Sequence, residues 1–200
     1  MKQRILSLGL VLLLLLAGCS APEERAERTI VATTYPVYLF ACAVTQGVDG
    51  VAVERLNTGE TSCLHDYTLS VNDMKELARA DVIAMNGADL EDFMEDALET
   101  SDAAVVDCSA GLELLENLTH HHEEDDHGHD DHDHGHWDPH IWMDPNNAAR
   151  MVETLARELA DIDPEHREIY LENGQKAAKQ LADLDGELKE ILRQNGAIVE

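Results

Sequence analysis

Basic residues and aromatic rings are what this chain of 200 residues has least of. Fourteen Lys and Arg stand against 41 Asp and Glu, for a formal net charge of −27. A surface this acidic cannot neutralise a phosphate backbone or settle on an anionic bilayer through a basic patch. Nucleic-acid binding and electrostatic membrane docking are therefore excluded. The charge favours a cationic partner, and a metal ion is the simplest one. Aromatic residues make up 4% of the chain, which leaves a core of Leu, Val, Ile, Met and Ala. The sequence has no internal repeat and no His-Glu-x-x-His run, so the familiar helical zinc-hydrolase signature is missing. What is present, 44% hydrophobic and 28% charged residues, is a globular composition and not that of a disordered chain.

The longest apolar run, Ile5–Leu16, follows Lys2 and Arg4 and ends at Leu16-Ala17-Gly18-Cys19. It is shorter than the roughly 20 residues of a membrane span and has the layout of a signal peptide. The Leu-Ala-Gly-Cys tetrapeptide resembles the bacterial lipobox, which implies cleavage before Cys19 and acylation of its thiol. The expected organisation is a signal peptide over residues 1–18 and a lipid-anchored tether over 19–28. The mature protein is then expected at the cell membrane, on its extracytoplasmic face. In that oxidising space Cys42, Cys63 and Cys108 make an odd number. The expectation is a Cys63–Cys108 disulfide between loops at one edge of a sheet, with Cys42 a packed thiol on a helix.

Beyond the tether, β-branched or alternating runs at Thr29–Thr33, Val51–Leu56, Asp81–Met85 and Ala103–Val106 read as strands. Helical patterns lie between them. One runs from Pro36 to about Thr45. A second opens with the capping-box spacing Ser70-Val-Asn-Asp73, with Met74, Leu77 and Ala78 on one face, and a third covers Leu90–Leu98. Alternation with short connections predicts an α/β fold, a four-stranded parallel sheet flanked by helices. A further helix is expected from about Asn147 to Ala160, with Met151, Val152, Leu155 and Leu159 inward. Asp163-Pro164 reads as an N-cap and first helical residue. The steps Tyr170, Ala177, Leu181, Leu184, Leu188, Ile191 mark one face of a long helix that Gly174 and Gly186 interrupt. The domain reading is a lobe over 29–160 and a long connecting helix within 161–200.

Residues 119–136 are different in kind. Residues 120–136 hold eight of the eleven histidines and seven carboxylates, with no Lys, Arg or apolar residue, so they cannot contribute to a core. Imidazole suits zinc, copper and nickel, and the carboxylates attract any divalent cation. A flexible loop containing His120, His121, His122, His127, His129, His132, His134 and His136 is expected to bind metal weakly and exchangeably. His65, in Cys63-Leu-His65-Asp-Tyr67, and His140, in Asp138-Pro-His140-Ile-Trp142, are single histidines in polar loops. Spacing alone leaves each an ordinary surface residue.

The surrounding motifs change that reading. Thr33-Thr-Tyr-Pro36, His65-Asp-Tyr67, Ser70-Val-Asn-Asp73, Ala80-Asp-Val82, Asn86-Gly87, Glu91, the histidine-rich insertion and Asp138-Pro-His140-Ile-Trp-Met-Asp-Pro145 occur in this order. Together they resemble the zinc- and manganese-binding solute-binding lipoproteins of bacterial ABC transporters. The resemblance implies two α/β lobes joined by a long helix, with metal in the cleft between them. It places the first two ligand histidines on His65 and His140. Where the family commonly has proline before the first of these, this chain has Leu64 preceded by Cys63. The family draws a third histidine and an acidic ligand from its second lobe, so this chain is expected to comprise the first lobe and the connecting helix, with the second lobe absent. The implied function is capture of Zn2+, with Mn2+ as the alternative, and its delivery to a membrane permease by a lipid-anchored monomer. The rival readings are an extracellular zinc buffer or metal-dependent adhesin and, more remotely, a zinc hydrolase.

Overall fold

The computed structural model of the chain describes residues 26–56, 67–118 and 136–197. Its strands are β1 (Arg28–Ala32), β2 (Val51–Arg55), β3 (Val82–Met85) and β4 (Ala104–Asp107). They pair in parallel in the order β2-β1-β3-β4. Parallel neighbours require crossovers, and helical segments supply them. α1 (Tyr35–Val44) joins β1 to β2, and α2 (Val71–Leu77) precedes β3. A 3-10 turn at Asp92–Met94 runs into the short α3 (Glu95–Glu99) before β4. α4 (Pro145–Ile162) and α5 (Arg167–Gln194) complete the described chain. The α/β class and the four-stranded parallel sheet agree with the alternation in the sequence.

The pleat divides each strand between two cores. Ile30, Ala32, Val82, Ala84 and Val106 pack with α1, α4 and α5, whereas Val31 and Ile83 pack with Leu56, Leu77 and Met94. Met151, Val152, Leu155 and Leu159 of α4 are fully buried, as their spacing predicts. Burying each contributes about 1.5–3 kcal/mol. Helix starts are set by local chemistry. The Thr34 hydroxyl accepts the Val37 N–H at 3.4 Å at the start of α1, and the Asp144 carboxylate accepts the Asn146 N–H at 2.8 Å ahead of Pro145 in α4.

The structure corrects several expectations. α2 turns Asp73 and Leu77 inward and leaves Met74 exposed. Its capping box explains this, because Asp73 Oδ2 accepts the Ser70 N–H at 2.7 Å and the Tyr67 hydroxyl at 2.6 Å. Asp163 does not cap α5. A turn at 164–166 intervenes, and the Asp163 carboxylate is taken by the Tyr170 hydroxyl and His166 Nδ1, both at 2.9 Å, with Arg28 Nε at 3.7 Å. Cys108 is a free thiol among the described residues, and Cys63, its expected disulfide partner, lies outside them. Cys108 lies in the turn directly after β4, but its N–H donates to Met85 O at 3.0 Å and its side chain packs in the core with Val106. Burial, then the charges of Asp107 and Glu91, push its pKa far up, so it is an inert core thiol. Cys42 is a free, half-buried thiol on α1.

α5 is two helices in one. Its first half packs on α4 through Tyr170, Gly174 and Ala178. In its second half Leu184, Leu188, Ile191 and Leu192 are exposed by 41–53%. Among the described residues no helix is long and apolar enough to cross a membrane.

Candidate metal centre

Open parallel sheets bind ligands beyond the carboxyl ends of their strands, and there His140 is found. Asp138-Pro139-His140 folds back on itself. Asp138 Oδ1 accepts the His140 backbone N–H at 3.0 Å and lies 2.7 Å from His140 Nδ1. With Nδ1 donating to the carboxylate, Nε2 carries the lone pair, the tautomer that a metal-binding imidazole requires. The His140 side chain is 54% exposed, and the Trp142 ring lies 5.4 Å away.

The turn is tied to the end of β3. Asn86, fully buried, donates from Nδ2 to the carbonyl oxygens of Pro139 at 3.0 Å and Gly87 at 2.9 Å. Behind it lies Glu91. Its Oε1 accepts the Asn86 N–H at 2.8 Å and the Thr33 hydroxyl at 2.5 Å, and its Oε2 accepts the Gly87 N–H at 3.0 Å. Burial raises the Glu91 pKa to about 6, against the lowering effect of those three hydrogen bonds; the Asp107 charge raises it further. Gly87, Ala88 and Asp89 all have positive φ, of 80°, 54° and 63°. For Ala88 that is a strained conformation, held in part by its N–H donating to Ser109 Oγ at 3.2 Å. Only glycine suits position 87, where a Cβ would collide with the Asp107 carboxylate and the Ser109 hydroxyl.

Beside this turn is a cavity of about 490 Å³ whose lining includes Asp89, Glu91, Asp92, Glu95, Glu99 and Asp107. No Lys or Arg is among its lining residues, so the ionisable groups of the cavity are all acidic and favour cations. His136, the described member of the histidine-rich run, has its N–H on Asp89 Oδ2 at 2.9 Å and its ring edge-on to Trp137 at 4.5 Å. The run's two flanks meet there. Asn117 N–H donates to His136 O at 3.0 Å and Asp138 N–H to Leu115 O at 2.8 Å.

His65, Cys63, Cys19 and the loop histidines His120, His121, His122, His127, His129, His132 and His134 lie outside the described residues. The flanks of His65 are described. The chain leaves β2 at buried Leu56, whose N–H donates to Ala32 O at 3.0 Å. It is next described at Tyr67, which bonds Asp73 and stands edge-on to Phe93 at 5.5 Å. Among the described residues no three His, Cys, Asp or Glu side chains converge to hold a metal. The described residues thus bring His140 to Asp138 and to the carboxyl edge. The sequence marked Asn86-Gly87 as a turn, and gave Asn86 and Glu91 no role beyond the family motif. Their signal was an amide and a carboxylate five residues apart, directly after a wholly apolar strand.

A family model described as zinc-uptake complex component A, periplasmic, matches residues 30–198. The manganese-binding lipoprotein MntA of Halalkalibacterium halodurans is 28% identical over 171 residues, covering 83% of this chain and 52% of that one. The high-affinity zinc uptake system protein ZnuA of Bacillus subtilis is 28% identical over 173 residues, covering 82% and 53%. The crystal structure of Zn(II)-bound AdcA from Streptococcus pneumoniae superposes with a TM-score of 0.69 at 25% identity, covering 84% of this chain and 33% of that one. The chain spans about half the length of these two curated relatives.

Proposed function

The chain belongs to the zinc-uptake complex component A family, and from that premise we propose that it captures Zn2+ outside the cytoplasmic membrane and delivers it to an ABC permease. The observation that carries this reading is the Asp138–His140 pair. A carboxylate on Nδ1 leaves Nε2 as the nucleophilic nitrogen, at the sheet edge where this fold places ligands. His65 and His140 supply imidazole nitrogens to one tetrahedral ion at about 2.0–2.1 Å. Nitrogen ligation favours zinc, with manganese the second cargo, as in the similar manganese-binding lipoprotein.

The remaining features fit the same role. Acylation at Cys19 tethers the lobe to the membrane, residues 29–160 form the metal-binding unit, and the protein acts as a monomer. The histidines of residues 120–136 form weak, exchangeable sites that raise the local zinc concentration beside the acidic face. The function is transport and not catalysis.

Zinc titration calorimetry on the whole chain tests the proposal. Replacing His65 or His140 by Ala removes the tightest site, whereas deleting residues 120–136 lowers the stoichiometry and leaves that site in place. Loss of tight binding only on loop deletion would make the loop the site and refute the reading.

A further inference from the structure

We infer that Asn86, held by Glu91, is the positioning residue that fixes the His140 imidazole for metal. The inference rests on the metal-capture reading above and adds a residue to its machinery. Each link is a direct contact in the structure. Glu91 is buried at the carboxyl ends of β1 and β3 and bridges the segments that follow them, accepting from Thr33 after β1 and from the Asn86 and Gly87 N–H groups after β3. Two successive backbone N–H groups on one carboxylate fix the peptide planes at the start of the left-handed turn. That sets the direction of the Asn86 side chain, whose Nδ2 spends both hydrogens on carbonyl oxygens, of Gly87 within the turn and of Pro139 in the ligand loop.

The chemistry demands an amide in one orientation. Both partners of Nδ2 are acceptors, so a flipped Asn86 would press its own oxygen against two carbonyls. Asn86 Oδ1 is buried and receives no hydrogen bond from the described residues. Leaving a buried acceptor unpaired is destabilising, a cost offset only if the Nδ2 bonds matter more. What they hold is the residue immediately before His140. Pro139 is buried while His140 is exposed, so the turn has one face gripped by the protein and the other turned to the solvent side of the sheet edge. The grip on Pro139 O keeps the Asp138–His140 turn closed, and the closed turn keeps Nδ1 on the carboxylate.

The decisive substitution is Asn86→Asp. It has the same shape, and it leaves the backbone N–H that Glu91 holds, but it turns two attractive contacts into repulsive ones. Asn86→Ala, which deletes the tether without repulsion, guards against a failure of the first variant to fold. Met94→Ala, a cavity in the core layer that contains Met94 and Leu77, is the control for destabilisation alone. The 15N chemical shifts of the two His140 ring nitrogens in the metal-free whole chain report the tautomer. They are assigned by their disappearance in His140→Ala.

Both Asn86 variants should move His140 from the Nδ1–H tautomer toward the mixture of an unconstrained imidazole, Asp more than Ala. Both should weaken zinc binding at the tightest site about tenfold, at the lower edge of what losing an outer-shell partner does to metal affinity. Met94→Ala should lower the melting temperature and leave the tautomer unchanged. Unchanged His140 shifts in both Asn86 variants, or an equal change in Met94→Ala, would overturn the inference. If His140→Ala leaves zinc affinity intact, the metal-capture reading fails, while the metal-free shifts still decide the role of Asn86.

Discussion

Gly174 and Gly186 look alike in the sequence, each a helix-weakening residue inside α5, yet their surroundings demand opposite responses to the same substitution. At Gly186 an added Cβ meets nothing within 4 Å. Gly186→Ala therefore collects the intrinsic helix gain of about 1 kcal/mol. At Gly174 the added Cβ would land on Ala156 Cβ, close to the Val152 carbonyl of α4. Neither is the end of a flexible chain that can swing away, so α4 and α5 must separate. Overpacking of that kind costs about 1–3 kcal/mol, which cancels or outweighs the propensity gain of about 1 kcal/mol, for a net loss of about 0–2 kcal/mol. The melting temperature should fall by up to about 8 °C in Gly174→Ala, at the roughly 2–4 °C per kcal/mol of a protein this size. A double-mutant cycle sharpens the test. In an Ala156→Gly background the colliding atom is gone and Gly174→Ala should become favourable, a coupling of about 1–3 kcal/mol. Thermal unfolding followed by circular dichroism reads all four proteins. Gly174→Ala stabilising the chain as Gly186→Ala does, or a coupling near zero, would refute the close α4–α5 approach.

Three further outcomes are expected. Asp163 is pushed up by burial but held below the usual carboxylate range overall by His166, Tyr170 and Arg28, and His166 is raised chiefly by its bond to Asp163. Their mutual support is therefore lost as pH falls through the depressed Asp163 value and again as pH rises through the raised His166 value. Asp163→Asn should cost most stability between about pH 4 and 6.5, and least at either extreme, in urea unfolding across pH. Glu91 titrates near 6 because of burial, so the folded state binds its proton more tightly than the unfolded chain does. Stability should drop by on the order of 2 kcal/mol as pH rises from about 4.5 through 6, and Glu91→Gln should remove that step; an unchanged step in the variant would place the titration elsewhere. Ser70→Ala, which removes the hydroxyl receiving the Asp73 N–H at 3.2 Å, should cost about 1 kcal/mol in the same assay.

Much of this architecture is written in short-range pattern. Four β-branched or alternating runs, the Ser70–Asp73 capping box and the inward stripe of Met151, Val152, Leu155 and Leu159 each rest on contacts within a turn or two. Sequence periodicity reports such contacts directly. The misreadings share a different cause. Asp163-Pro164 has the spelling of a helix start, but its carboxylate is claimed by Tyr170 seven residues on and by Arg28 from β1. Cys108 stands in the turn after β4, but a bond from its N–H to Met85 O turns the thiol into the core. At the candidate site, His140 could be singled out by its motif. The Thr33–Glu91–Asn86–Pro139 chain could not, because its links span 58 and 53 positions and only the folded sheet brings them together.

If His140, together with His65, receives the metal, the order in which the imidazoles respond to zinc must reveal it. With all eleven histidines carrying 15N, the whole chain is titrated with Zn2+ up to one equivalent and the ring nitrogens are followed individually. Nε2 of His140 and a ring nitrogen of His65 should shift first and together, with His140 Nδ1 remaining protonated against Asp138, and the histidines of residues 120–136 should respond afterwards. Early shifts confined to residues 120–136, with His65 and His140 unmoved at one equivalent, would contradict it.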